Sequence, residues 1–260
     1  MVYELSKFLC EGCGLENIAI AYLDALKSSN IKNFVTVLGI GCTSAISGAI
    51  DGDRFCPTHG RAIPFAEGLK LGNPKLNINV ITCDNDLFTV GAHHFVHACR
   101  RNIGISVIGV NNYYHGMMGN QSSPTTILEP FDKLYEKSNT KKLYLEPAFN
   151  LPYLAMVSGA GYVARWTVFH KEKLTQSIAE TLNKKGFKFI EVLSTCPLVY
   201  GQENDIAKYF REHTVIKNDA KPKEIEIEKG KDIIIGKFRD VEKSSYEEEL
   251  EKLSNRVRKK

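Results

Sequence analysis

No stretch of this sequence approaches the roughly 20 consecutive apolar residues that a membrane-spanning helix requires. Its most apolar segments, 78–83 and 103–110, are broken by polar side chains well short of that length. Residues 1–10 lack both a basic start and a long apolar core, so they do not read as a secretory leader, and a cytoplasmic protein is expected. An excess of one charge is also missing: 34 Lys and Arg against 30 Asp and Glu leave a net of +4. The basic residues are scattered and form no stripe able to neutralise a phosphate backbone, which excludes nucleic acid as the main partner. Disorder is excluded too, because 43% of the 260 residues are hydrophobic, enough for a full core.

What the sequence does have is seven cysteines. In an unsecreted chain the reducing surroundings disfavour a disulfide framework, so metal ligation, catalysis or packing must account for them. Cys83 and Cys99, in an apolar strand and a helix, read as small buried hydrophobes.

Four β-branched runs, 33–39, 78–83, 105–110 and 188–194, read as strands, each followed by a turn-like segment. Helical patterns cover 15–26, 61–71, 91–101 and 171–184. Strands apolar on both faces that alternate with helices predict an α/β fold, a parallel sheet covered by helices on both faces, with ligands gathered beyond the carboxyl ends of the strands. Residues 119–150 form a long proline-bearing connection, the length of a lid or a subunit-contacting arm. The main domain is expected to span 1–211. From 212 the composition turns to Lys and Glu, with an apolar run at 233–238 and a charged helical end at 246–258, which reads as a C-terminal extension packing on a neighbour or simply solvated.

The unusual residues fall at strand ends. Asp84 closes an apolar strand in Cys83-Asp84-Asn85-Asp86, and about 28 residues later the next strand ends in Asn111-Asn112. A carboxylate and an amide on adjacent loops suit Mg²⁺, which takes oxygen ligands and shares them with phosphates; the same residues also form ordinary turns. Cys10 and Cys13 form a CxxC, Cys42 follows the first strand in Gly39-Ile40-Gly41-Cys42-Thr43, and Cys196 follows the last. Four such thiolates fit Zn²⁺ or a [4Fe–4S] cluster, and spacing alone does not choose; a redox CxxC is a weaker third reading. Thr58-His59-Gly60-Arg61 opens a helix and could face an anionic group, or merely cap and pack. His93 and His97 share a helical face, but with no glutamate between them packing is favoured over a metal site.

These segments together resemble the β subunits of 2-oxoacid:ferredoxin oxidoreductases over most of the chain. The match runs through Cys10-Glu11-Gly12-Cys13-Gly14, Gly39-Ile40-Gly41-Cys42, Thr58-His59-Gly60-Arg61-Ala62, Leu71-Gly72-Asn73-Pro74 and the stretch 94–103. It continues through Asn111-Asn112, Gly116-Met117 and Gln121-Ser122-Ser123-Pro124-Thr125-Thr126. It ends in Ala164-Arg165-Trp166-Thr167 and Phe189-Ile190-Glu191-Val192-Leu193. Within the family the 2-oxoglutarate type is most similar, through Ala-Arg-Trp-Thr and Cys-Pro-x-x-Tyr-Gly. The resemblance implies a thiamine-diphosphate-binding fold, with Cys10, Cys13, Cys42 and Cys196 holding a [4Fe–4S] cluster. Asp84, Asn112 and the Tyr114 carbonyl would hold Mg²⁺. Ile40, Gly41, Cys42, Thr43, Asn85, Asp86, Gly116 and Met117 would line thiamine diphosphate, and His59 and Arg61 would border the reaction site.

The implied reaction is oxidative decarboxylation of a 2-oxoacid, with electrons passing through the cluster to ferredoxin and coenzyme A capturing the acyl group. The family's α subunit supplies the glutamate that activates the cofactor, so this chain is expected to be active only with that partner; small ferredoxin-like γ and δ subunits can complete the assembly. The sequence departs from the family at Asn85, where glycine is usual, at His115 and Met118, where Tyr and Thr are usual, and at Ala45, where the 2-oxoglutarate type tends to carry a basic residue. Pyruvate or a branched-chain 2-oxoacid are therefore alternative substrates. A zinc-stabilised scaffold without catalysis and a non-oxidative thiamine decarboxylase are the other readings.

Overall fold

The computed structural model describes residues 9–119, 121–127, 146–200, 205–227 and 232–258. The chain begins with α1 (Leu15–Ser29), whose apolar residues recur at helical spacing and whose end is turned by Asn30 in the left-handed region, φ 50°. There follow β1 (Phe34–Leu38), a 3₁₀ segment Cys42–Ala49, β2 (Asp53–Phe55), α2 (Ala62–Gly72) and β3 (Asn77–Cys83). A π-helical turn Asn85–Val90 leads to α3 (Ala92–Arg101) and β4 (Ile105–Asn111), then the short ribbon β5 (Tyr114–His115) and β6 (Gln121–Ser122). The rest comprises α4 (Leu151–Ser158), β7 (Tyr162–Thr167), α5 (Lys171–Leu182), β8 (Lys188–Leu193), α6 (Pro197–Tyr200), α7 (Asp205–Glu212), β9 (Thr214–Ile216), β10 (Ile233–Asp240) and α8 (Tyr246–Arg258).

Among the described residues eight strands form one sheet in the order β2-β1-β3-β4-β8-β7-β10-β9. It is parallel from β2 to β7, as its apolar runs predict, and β10 then joins β7 antiparallel. Every residue of β4 is buried, which follows from a central strand covered on both faces. One core layer joins α1 and α5 to the sheet through Ile18, Tyr22, Leu38, Ile81, Leu174 and Ile190. The opposite layer, under α2, α3 and α4, is built on Phe88, Phe95, Phe187 and Phe189. There Phe95 meets Phe88 and Phe189 with ring centroids 4.9 Å apart in edge-on geometry, each contact worth about 0.5–1.5 kcal/mol beyond burial.

Two expectations change. Part of the segment set apart from residue 212 onward is integral to the sheet: Ile233 and Ile235 are fully buried, and β10 pairs with β7. The run read as an extension is apolar because it is a sheet strand, whereas α8 buries none of its residues. The strand β7, which the charge of Arg165 disguises in the sequence, lies inside the sheet beside β8. The long connection expected over 119–150 lies mostly outside the described residues. No helix among the described residues is long and apolar enough to cross a membrane.

Candidate active site

The adjacent strands β1, β3, β4 and β8 end side by side, so Gly39–Cys42, Asp84, Asn111–Asn112 and Ser194–Cys196 meet at one edge of the sheet. Asp84 is 1% exposed and accepts hydrogen bonds from Ser123 Oγ at 3.1 Å and Thr125 Oγ1 at 2.5 Å. Burial pushes its carboxyl up to about 6, against the lowering effect of the two hydroxyls. The amide end of Asn112 lies 3.3 Å from Asp84 Oδ1 and 2.8 Å from the Tyr114 carbonyl oxygen, and as nitrogen it donates to both. With the amide oxygen turned inward, three oxygens converge, which is the donor set a hard divalent cation takes. The residues present therefore fit Mg²⁺.

Beside this trio, Gly41 has φ 118° and ψ −152°, a backbone conformation open in practice only to glycine. The turn is tied by Thr43 Oγ1 and Ser44 Oγ, which donate to the Gly39 and Gly41 carbonyls at 3.2 and 2.7 Å. Ile40 is 40% exposed at its tip, and the half-buried Asn85 and buried Asp86 follow Asp84 in the π-helical turn, a feature that often marks functional sites. The Gly41 turn therefore leaves the backbone open to close approach by an anionic group beside the Asp84, Asn112 and Tyr114 oxygens.

Asp86 does more than line a pocket. Its Oδ1 lies 2.6 Å from His59 Nδ1 and accepts from the Gly60 amide at 2.6 Å, while Thr82 Oγ1 donates to Oδ2 at 2.7 Å. The carboxylate thus ties the His59 loop, through the Gly60 amide, to the turn that follows β3, and lies within ion-pair distance of an imidazole whose buried Nδ1 makes no hydrogen bond. Arg61 stands at the cap of α2, its Nη1 donating to the His59 carbonyl at 3.3 Å. His115 faces the same space, with Nε2 3.3 Å from Thr89 Oγ1; burial first, then the nearby His59, hold its pKa below the ordinary imidazole range. Gly116 is half-buried, but Met117 is 65% exposed and turned to the outside of this chain.

The CxxC segment is stitched to the end of β8. Gly14 N donates to the Thr195 carbonyl at 3.3 Å and Thr195 Oγ1 to the Gly12 carbonyl at 3.0 Å. A tight turn returns Cys13 N to the Cys10 carbonyl at 3.0 Å, with Gly12 at φ 79°. Burial raises the Cys13 thiol to about 12, and Cys196, Cys42 and Cys10 each push it further upward, so all four thiols stand within electrostatic range. Cys42 is raised by burial and by Cys10. Among the described residues no three His, Cys, Asp or Glu side chains close around a single ion. All seven cysteines lie among the described residues and none forms a disulfide. The histidines of α3 do not pack as expected: His93 and His97 are exposed, and the His93 and His94 rings lie with centroids 3.8 Å apart, tilted by 43°.

Sequence reading gave no role to Ser123 and Thr125, although the hydroxyl-rich run Ser122-Ser123-Pro124-Thr125-Thr126 after a metal loop is a usable sign of carboxylate support. It took Asn111 and Asn112 together as candidate oxygen ligands, but the Asn111 side chain donates to Glu191 at 2.7 Å and accepts from the Tyr113 amide, so only Asn112 stands beside Asp84.

Residues 39–192 match the family described as thiamine pyrophosphate enzyme, C-terminal TPP binding domain. The chain is 40% identical to the 2-oxoglutarate synthase subunit KorB of Methanocaldococcus jannaschii over 98% of its own length and 95% of that protein. It is 33% identical to the β subunit of 2-oxoacid:ferredoxin oxidoreductase 2 from Aeropyrum pernix over 72% of its length and 60% of that protein. In fold it is similar to a chain of the 2-oxoglutarate:ferredoxin oxidoreductase of Magnetococcus marinus, with a TM-score of 0.81 at 22% identity, covering 96% of this chain and 86% of that one. The sheet, the strand-end constellation and these relatives agree: the chain belongs to the thiamine-pyrophosphate-binding β subunits of the 2-oxoacid:ferredoxin oxidoreductases, a family of oxidoreductases.

Proposed function

We propose that this chain carries out, with an α subunit, the coenzyme-A-dependent oxidative decarboxylation of 2-oxoglutarate, passing electrons through one [4Fe–4S] cluster to ferredoxin. The observation that carries this reading is the meeting, at one sheet edge, of the segments that bear two donor sets: Asp84, Asn112 and the Tyr114 carbonyl at the ends of β3 and β4, and Cys10, Cys13, Cys42 and Cys196 on the turn and strand ends beside them. A cofactor site that must release electrons singly needs an acceptor beside it, and a [4Fe–4S] cluster held by the four thiolates would be one.

Asp84, Asn112 and the Tyr114 carbonyl would hold Mg²⁺, and the Gly41 turn with Thr43, Asn85 and Gly116 would flank the diphosphate. Thiamine diphosphate, when bound, supplies the reactive carbon that adds to the 2-oxo group and takes up the charge left as CO₂ departs. The Asp86 carboxylate, 2.6 Å from Nδ1, would pair with a protonated His59, leaving Nε2 to donate a proton or bind a substrate carboxylate. Arg61 adds a fixed cation beside it. The 2-oxoglutarate assignment rests on relatives named 2-oxoglutarate synthase, since Ala45 contributes no charge.

The test is anaerobic reduction of a redox dye or ferredoxin by the co-expressed α and β chains, with coenzyme A and a panel of 2-oxoacids. Fastest turnover with 2-oxoglutarate is expected. Equal turnover with pyruvate would overturn the substrate, and no coenzyme-A-dependent reduction with any 2-oxoacid would overturn the reaction.

A further inference from the structure

Arg165 and Glu191, singled out by the sequence segments that contain them, touch neither the oxygen trio nor the thiols. Both are nevertheless inside the sheet, 2% and 1% exposed, and stand opposite each other in the β7/β8 register. Arg165 Nε donates to Glu191 Oε2 at 2.6 Å, and its Nη1 to the Ile225 carbonyl at 2.7 Å. The other carboxylate oxygen, Oε1, accepts from Asn111 Nδ2 at 2.7 Å. Asn111, 2% exposed, uses its own oxygen to accept from the Tyr113 amide at 3.0 Å. Tyr113 sits between Asn112 and Tyr114 with φ 65°, a region that bulky side chains avoid, and its carbonyl accepts from Thr126 Oγ1 at 2.5 Å.

An unbroken chain of hydrogen bonds therefore runs from the buried cation to the strained residue at the centre of the metal loop. Stability is weak ground for it, because replacing a buried ion pair by apolar side chains of the same volume is often neutral or stabilising. Its chemistry is directional instead. The guanidinium fixes the carboxylate, the carboxylate fixes which end of the Asn111 amide faces the Tyr113 N–H, and that bond holds the left-handed turn from which Asn112 and the Tyr114 carbonyl project. We propose that Arg165, Glu191 and Asn111 are positioning residues for the Mg²⁺ site, which pre-set two of its oxygen ligands without touching the ion. The inference rests on reading that oxygen trio as the Mg²⁺ site of thiamine diphosphate.

The test is calorimetric Mg²⁺ titration of the full chain with its α partner in the presence of thiamine diphosphate, with the melting temperature of each ligand-free variant measured in parallel. Glu191→Gln and Asn111→Ser should each weaken Mg²⁺ binding by roughly 10- to 100-fold, as expected for groups that orient metal ligands. The double variant should be little worse than either single one, because both act through the same bond. Tyr162→Phe, which removes a buried hydroxyl of β7 bonded to Ser177 and outside the relay, should lower the melting temperature and leave Mg²⁺ affinity unchanged. Folded Glu191→Gln or Asn111→Ser protein with wild-type Mg²⁺ affinity would overturn the relay. Asn111→Ser decides alone if the buried Glu191→Gln chain does not fold. Absence of Mg²⁺-dependent cofactor binding in the wild type would instead overturn the reading of the site itself.

Discussion

Adding one methyl group at Gly14 separates the two halves of the proposed centre. The Gly14 backbone, at φ −65° and ψ −14°, accepts alanine, so any effect must come from space. A Cβ there would stand 2.4 Å from Ser194 Oγ, 2.9 Å from Val168 Cγ1 and 3.1 Å from the Thr195 backbone nitrogen. The hydroxyl can rotate aside, but the valine wall and the backbone cannot, and overpacking of this kind costs about 1–3 kcal/mol. The cheapest relief is to part the cysteine turn from the end of β8. Because the Gly14 N to Thr195 O bond is already 3.3 Å long, a shift of a few tenths of an ångström removes it and carries Cys10 and Cys13 away from Cys196. The oxygen trio, at the ends of β3 and β4, is not involved. Gly14→Ala, purified anaerobically with its α partner, should lose most of its iron and visible absorbance while binding thiamine diphosphate with near-native affinity. Gly14→Ala with Ser194→Ala, which deletes the shortest contact, should recover part of the iron. Full iron content in the single variant, or equal loss of iron and cofactor, would refute the reasoning.

Asp86→Ala should lower stability by about 2–4 kcal/mol, as it strands the buried Gly60 amide and Thr82 hydroxyl, and should reduce kcat more than KM; denaturant unfolding and steady-state kinetics check the two effects. Lys188, 5% exposed at the opposite end of the sheet, has its pKa pushed down to about 7 by burial. The unfolded chain therefore binds a proton that the folded chain does not between pH 7 and the ordinary value of 10.5, so stability rises with pH across that window. The penalty is fully present below pH 7 and amounts to as much as about 5 kcal/mol. Lys188→Met should flatten that rise and raise the melting temperature at neutral pH; an unchanged pH profile would refute it.

Much of the fold is legible because the four strands 33–39, 78–83, 105–110 and 188–194 are buried on both faces and so read as continuous apolar runs. The site is legible where it lies at their ends, since Asp84, Asn112 and the cysteines are chemically out of place after such runs. What stays hidden is held by contacts between distant segments. β7 is masked by Arg165, whose charge makes sense only beside Glu191, 26 residues away. β10 is set apart in sequence by the charged residues around it, and only its pairing with β7 brings it into the sheet. The role of Asp86 as the partner of His59 is likewise a matter of 2.6 Å in space, and nothing in the spacing of the two residues announces it.

The central claim is that the thiols of Cys10, Cys13, Cys42 and Cys196 hold an electron acceptor for chemistry at the Asp84 site. Electron paramagnetic resonance of the anaerobically purified α and β chains, before and after addition of 2-oxoglutarate and coenzyme A, tests it most directly. The account predicts about four irons per β chain and a reduced [4Fe–4S] signal that grows only when the 2-oxoacid is present, and that is absent in Asp84→Ala. Zinc in place of iron at these cysteines, or a cluster whose signal does not respond to any 2-oxoacid, would contradict it.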